Sequence, residues 1–278
     1  MSADAAKRAA IDQWTADPCG AETVDQEPGS RSYFERLLAE RAVYAPWMEE
    51  SLGYSETGGK RVLDVGCGQG IDVANYAMAG AHVTGLDLTP RHVELARAHL
   101  EALELQAEVV EGDAERLPLP DQSFDRASSN GVLHHTPDMP AALREVRRVL
   151  RPGGEVRVIV YNRSSLHYWL TQVVFMGLLR RRLFRERSME GVLATSVEHS
   201  STGARPLVRV YSPRQVRRML QTAGFEAVET TVRHFRAEDE WPWGYLAPHV
   251  RALRDPNVVD RIAGIAGWYV IGRGRRPG

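Results

Sequence analysis

Three groups of residues in this chain are of types and spacings that could do chemistry. The first is Val62-Leu63-Asp64-Val65-Gly66-Cys67-Gly68-Gln69-Gly70, an apolar run that meets glycines at alternate positions. Glycine lets the backbone turn sharply and lets a ligand touch the main chain, because no Cβ intervenes. The second is Asp87, which closes another apolar run, Val83-Thr84-Gly85-Leu86-Asp87. A glycine loop followed by such an acid describes a nucleoside site, with the loop at one end of the ligand and the carboxylate on ribose hydroxyls. The third is the pair His134 and His135, in Gly131-Val132-Leu133-His134-His135-Thr136-Pro137-Asp138. An imidazole with an unperturbed pKa of about 6.5 can take a proton from a hydroxyl or an amine. The glycine spacing, G-x-G-x-G with an acid two residues ahead, is not the G-x-G-x-x-G of a dinucleotide site. A phosphate loop is excluded because no Gly-Lys-Ser/Thr follows.

These residues need a scaffold, and the chain alternates strands and helices to supply one. Strands are expected at 61–65, 82–87, 108–112, 124–129, 155–161, 225–235 and 267–272, with helices at 71–79, 90–103, 140–150 and 214–223. Thr89 and Ser212 stand as N-caps ahead of Pro90 and Pro213. Alternation of this kind predicts an α/β fold with a doubly wound, mostly parallel sheet of seven strands, binding its ligand at the carboxyl ends of the strands. Residues 1–57 precede the first strand and read as an N-terminal helical cap, with 58–278 as the main domain. Segments 162–211 and 236–266 exceed what the sheet needs, and long insertions are usually lids or binding loops.

The motifs resemble those of the class I S-adenosylmethionine (SAM) dependent methyltransferases, a Rossmann-like family. The resemblance covers about residues 61–161. It rests on the glycine loop, on Asp87, on Gly112-Asp113-Ala114-Glu115 before Leu117-Pro118-Leu119-Pro120, on Ser123-Phe124-Asp125 through His135, and on Leu150-Arg151-Pro152-Gly153-Gly154. It implies SAM as cofactor, S-adenosylhomocysteine as product, and a role for each matching residue. Gly66, Cys67 and Gly68 would lie against the methionine end, and Asp64 would orient the loop or the methionine amino group. Asp87 would hold the ribose, with Leu88 packed on adenine. Asp113 and Ala114 would meet the adenine edge, and the strand end at Asn130 would run beside the methionine. Tyr33, Arg41 and Tyr44 are candidates to contact the methionine carboxylate or to close the pocket. His135, and after it His134, are the candidate catalytic bases. Some quinone-type relatives hold a divalent metal with acids in the loop after strand four. Gly131 and His134 stand at those positions here, so no metal is expected.

Composition narrows the partners. With 278 residues, 43% of them hydrophobic, the chain can bury a full core. A net charge of −1 gives no phosphate track. The stretch Ser129-Asn130-Gly131-Val132 is not the N/D-P-P-Y of a base-amino methyltransferase, so nucleic acid is not an expected partner. Two cysteines, Cys19 and Cys67, cannot supply a thiol relay, and Cys67 within the glycine loop fits a reducing cytoplasm. No apolar run reaches the roughly 18 residues that span a bilayer. A small-molecule acceptor, methylated on O or N and less readily on C, is the expected partner, and a homodimer is compatible with the sequence. Of 35 basic residues only Lys7 and Lys60 are lysine, a bias of GC-rich genomes that associates the chain with secondary metabolism. A SAM-binding protein that does not methylate, or one that uses a modified SAM, would carry the same cofactor motifs. Residues 164–187 are apolar and then arginine-rich. They could form a lid with Trp169, Val173, Phe175 and Met176 on the acceptor, a weak interfacial membrane contact through Arg180, Arg181, Arg182, Arg185 and Arg187, or a subunit or core helix. Trp241, Trp243 and Tyr245 could line an aromatic wall.

Overall fold

Strand β1 (Arg61–Val65) sets the layering. Its Val62 joins the apolar cluster on one face of the sheet, while Leu63 and Val65 join the cluster on the other. Successive side chains of a strand point to opposite faces, so a strand covered on both sides reads as a continuous apolar run. The structure is a computed structural model, which describes all residues except 1, 199, 243, 245–248, 251, 252 and 254.

The remaining strands are β2 (His82–Asp87), β3 (Glu108–Glu111), β4 (Phe124–Asn130), β5 (Leu150–Tyr161), β6 (Glu226–Arg233) and β7 (Tyr269–Arg275). They form one sheet in the order β3-β2-β1-β4-β5-β7-β6. The pairs among β1 to β5 are parallel, and β7 runs antiparallel to both β5 and β6. The winding reverses between β1 and β4, so a crevice opens beyond their carboxyl ends. The glycine loop leaves β1 there, and the histidine loop leaves β4 beside it. The expected fold is therefore the observed one.

Helices α1 (Ala3–Ala16), α2 (Arg31–Tyr44) and α3 (Met48–Leu52) come before the sheet. Then α4 (Ile71–Met78) and α5 (Pro90–Ala102) cover one face, and α6 (Met139–Val149) covers the other. In α6 the residues Met139, Ala142, Leu143, Val146 and Val149 are buried, the spacing of one helical face. Asp138 caps its start by accepting from the N–H of Ala141, and Arg147 and Arg148 stand in its last turn, where a cation suits the helix dipole. Truncating Leu143 to Ala would cost about 2–5 kcal/mol.

Two local expectations are corrected. Thr89 precedes α5, but its side chain makes no capping bond; its backbone N–H instead donates to Asp87. The Pro152-Gly153-Gly154 turn lies within β5, which starts at Leu150 and shifts register against β4 between Phe124 and Arg126. Ser212 does cap the helix α9 (Pro213–Thr222), with a reciprocal bond from Gln215.

The segment before β1 is fastened from below. Buried Arg126 of β4 donates to the carbonyls of Leu52 and Gly53 and to the carboxylates of Glu56 and Glu155. A buried guanidinium is tolerable only when it is paired and hydrogen-bonded in this way.

The insertion after β5 folds as a π-type helix (His167–Leu179), α7 (Arg182–Glu186) and α8 (Met189–Ser196). A final helix, α10 (Pro256–Ala266), precedes β7. Among the described residues, no helix is long and apolar enough to cross a membrane.

Candidate functional site

The glycine loop is held in a conformation that other residues rarely adopt. Gly66, Gly68 and Gly70 all have positive φ, at 78°, 53° and 82°. A Cβ on Gly66 would stand 2.4 Å from the side chain of Val132, so the loop packs against the turn after β4. At Gly68 no atom lies within 4 Å of the equivalent point, which faces the crevice. Backbone can therefore meet a ligand directly at Gly68. Gly70 starts α4, whose N-terminus favours an anionic group.

Asp87 closes β2 and is tied to this loop. Its carboxylate accepts from the N–H of Gly68 at 2.8 Å and of Thr89 at 2.9 Å, with His92 Nδ1 at 3.3 Å. Burial works against its charge, but the bond and charge of His92 and the two N–H groups outweigh burial and lower its pKa. An ionised carboxylate accepts at about four lone-pair positions, so it retains capacity for ribose hydroxyls.

These groups open on one cavity of about 550 Å³. Gly66, Cys67, Gly68, Asp87, Leu88, Asp113, Ala114, Asn130 and His135 all line it. Three candidates do not, and each is corrected. Asp64 is buried behind β1, where Ser128 donates to it. Burial first, and then the charge of Asp72, push its pKa well above the carboxylate range. Tyr33 is buried under the loop, where its hydroxyl donates to Gln69 Oε1 at 2.7 Å, and Gln69 in turn donates to the Cys19 carbonyl. It shapes the pocket without reaching it. His134 is fully buried with no hydrogen-bond partner at either ring nitrogen, and burial pushes its pKa well below that of a free imidazole.

An acid that no motif singled out, Asp72, lines the cavity from the first turn of α4. It accepts from Tyr54 at 2.6 Å and Asn130 at 2.9 Å. Its place directly after the glycine loop was the available sequence signal. Across from it stands Arg41 of α2, whose guanidinium has no hydrogen bond or ion pair among the described residues. Burial opposes its charge, but Asp72 and neighbouring groups keep its pKa raised.

His135 sits at the other end. Its Nδ1 lies 2.6 Å from the Leu207 carbonyl oxygen, so that nitrogen carries the proton and Nε2 is the free base. Nε2 lies 3.6 Å from Oε1 of Glu198, and the Tyr161 hydroxyl donates to the same oxygen at 2.8 Å. Glu198 and Val197 are the contribution of the 162–211 insertion to the wall. Trp169, Val173, Phe175 and Met176 are not on it. Trp169 is half exposed, Val173 packs against the cluster of Tyr161, Tyr168 and Trp268, and Phe175 stacks on Trp241. Trp243 and Tyr245 lie outside the described residues. Donor atoms of His134, His135 and Glu198 come within 4.8 Å of one another. Sequence spacing had hidden this group, because Glu198 arrives from a distant insertion. Hydrogen bonds to Leu207 and Tyr161 already engage two of its members.

Helix α1, the first element of the segment read as an N-terminal cap, lines the cavity with Lys7, Ala10 and Trp14. Its Trp14 stacks on His92 and meets His135 edge-on, with ring centres 6.3 and 5.6 Å away. Its Lys7 pairs with Asp113 and Glu115 at 2.6 and 2.5 Å. Beyond its end, Asp17 accepts from the N–H of Ser201. The Ala-rich run after Ser2 was the sequence signal for this helix.

Comparison with known proteins identifies the family and the fold. A profile described as a methyltransferase domain matches residues 63–158. A ubiquinone biosynthesis O-methyltransferase of Aromatoleum aromaticum is 30% identical over 199 residues, which cover 71% of this chain and 76% of that protein. The protein of that name from Aeromonas salmonicida is 38% identical over 112 residues, covering 40% of this chain and 47% of the relative. The chain spans about half the length of most such curated relatives. Among solved structures, a SAM-dependent methyltransferase of Methanosarcina mazei matches with a TM-score of 0.55 at 18% identity, covering 81% of this chain and 96% of that one. The cyclase SpnF matches at 0.53 and 22%, covering 99% and 93%. At such identities the likeness concerns the fold. The chain belongs to the class I SAM-dependent methyltransferases, and SAM is the cofactor its family implies.

Proposed function

We propose that this chain transfers the methyl group of SAM to an oxygen or nitrogen of a small-molecule acceptor, in secondary metabolism. The observation that carries the reading is one continuous cavity running from Asp87 and Gly68 to His135. The residues fit the cofactor: Gly68 leaves its backbone open, Asp87 keeps acceptor capacity for a ribose hydroxyl, and Arg41 is an unengaged cation facing Asp72. Asp113 and Ala114 take the adenine edge, Asp72 the methionine ammonium and Arg41 its carboxylate.

SAM supplies an activated methyl on a sulfonium leaving group. The protein must align the acceptor, exclude water and hold a proton, and alignment can supply much of the rate. Trp14, Tyr44, Tyr161 and Tyr269 wall the acceptor end, which suits a flat apolar acceptor. His135 takes the acceptor's proton at Nε2. The O-methyltransferase names of the relatives favour oxygen as the methylated atom.

A weak contact with a lipid surface is the further partner we assign. Trp169, Leu178, Leu179 and Phe184 are exposed beside Arg180 and Arg181.

The test is calorimetry with SAM and S-adenosylhomocysteine, followed by a methyl-label screen over phenols, amines and activated carbons. Micromolar binding of both with label in a phenol or amine is the expected result. Tight binding with no transfer would favour a SAM-binding protein of another activity, and no binding would overturn the site.

A further inference from the structure

The geometry points to Glu198 as the positioning residue of the base: it holds the imidazolium that His135 becomes when it takes the acceptor's proton, and Tyr161 holds Glu198. This rests on the reading of His135 as the base and adds a residue that no motif supplies. Both nitrogens of His135 are accounted for by different partners. Nδ1 is fixed on the Leu207 carbonyl at 2.6 Å, which leaves Nε2 as the only site where a proton can land. The nearest anion to that site is Oε1 of Glu198, at 3.6 Å. That oxygen accepts from the Tyr161 hydroxyl at 2.8 Å, so the carboxylate does not swing freely. Both Glu198 and His135 line the cavity.

The gap of 3.6 Å is too long for a hydrogen bond and short enough for strong attraction once Nε2 is protonated. The arrangement therefore favours the product of proton transfer over its reactant, as a catalytic carboxylate does for an imidazole. In the step itself, the acceptor's hydroxyl proton passes to Nε2 while its oxygen forms the new bond to the methyl carbon. The carbon–sulfur bond breaks, and its electron pair remains on sulfur as a thioether. Other titratable groups around His135 are His134 in its own loop and Tyr161 on β5, while Cys19 faces Glu198. Glu198 is the one carboxylate that pairs with it among the described residues.

The test needs no acceptor. Protein labelled with nitrogen-15 in histidine is titrated by NMR as the wild type, E198Q and Y161F. In the wild type the neutral ring of His135 carries its proton on Nδ1. In E198Q its titration midpoint moves to lower pH, because the charge that favours imidazolium is gone. In Y161F the midpoint moves less, and S-adenosylhomocysteine affinity stays within about twofold in both. An unchanged midpoint in a folded E198Q overturns the proposal. So does a stoichiometric divalent ion that the purified protein holds and E198Q releases, because Nε2 would then be a ligand. The base itself is tested separately. If H135A keeps its methyl transfer to the phenol found by the label screen, the base falls. If H135A loses transfer while E198Q leaves the midpoint in place, only Glu198 falls.

Discussion

The ammonium of Lys7 lies 2.6 Å from a carboxylate oxygen of Asp113, joining α1 to the turn proposed to take the adenine edge. Glu115 takes the same ammonium. Burial lowers the pKa of Lys7, but the bonds and charges of the two acids raise it by more. The other oxygen of Asp113 accepts from the N–H of Glu115, so this short turn is preorganised while it latches α1.

Replacing Lys7 with Ala removes the latch together with one side chain of the cavity wall. The side chains are partly exposed, so the pair contributes on the order of 1 kcal/mol and is screened by salt. S-Adenosylhomocysteine should leave about threefold to tenfold faster from K7A, and the difference from wild type should shrink at high salt. Stopped-flow displacement measures both.

The proposed pairing of Arg41 with the methionine carboxylate can be tested apart from the nucleoside end. In R41A, affinity for SAM and S-adenosylhomocysteine should fall at least tenfold. Affinity for methylthioadenosine, which lacks the amino-acid end, should not change. Calorimetry with the three ligands decides it, and a loss for all three would place Arg41 elsewhere.

Asp87 gives a pH prediction with a definite sign. Its folded pKa is lowered, so its contribution to stability is complete above the ordinary value of about 4 and is lost as pH falls through the lower folded value. Cofactor affinity should therefore owe no pH dependence to Asp87 between about pH 5 and 8. D87A should lose SAM binding by at least a hundredfold at every pH in that range.

His234 carries the same sign in a higher pH window. Burial, then the charges of Arg236 and His167, lower its pKa to about 4, and Trp47 donates to its Nδ1 at 3.4 Å, as suits a neutral ring. The unfolded chain takes up this proton near pH 6.5, and the folded chain only near 4. Stability should therefore decline as pH falls from about 6.5 to 4. His134, also lowered, adds to that slope. In H234Q the slope should flatten by the share of one histidine, read from urea unfolding at several pH values.

The glycine loop, Asp87 and Asp113 were legible in the sequence because each meets a local demand: positive φ, a strand end, a tight turn. The choice between His134 and His135 was not. They are chain neighbours in an irregular loop, and only the packing of Tyr161 and Leu207 decides which ring faces the cavity. Asp64 and Asp72 show the same limit, since alternation along β1 turns Asp64 away while the first turn of α4 brings Asp72 in. Lys7, Trp14 and Glu198 come from segments whose positions depend wholly on tertiary contacts. No spacing could have joined Glu198 to His135.

One side chain joins the two ends of the cavity. Trp14 packs on His92, which pairs with Asp87, and on His135, the proposed base. A substitution at Trp14 is therefore expected to change cofactor binding and acceptor turnover together, where one at Lys7 changes the first alone.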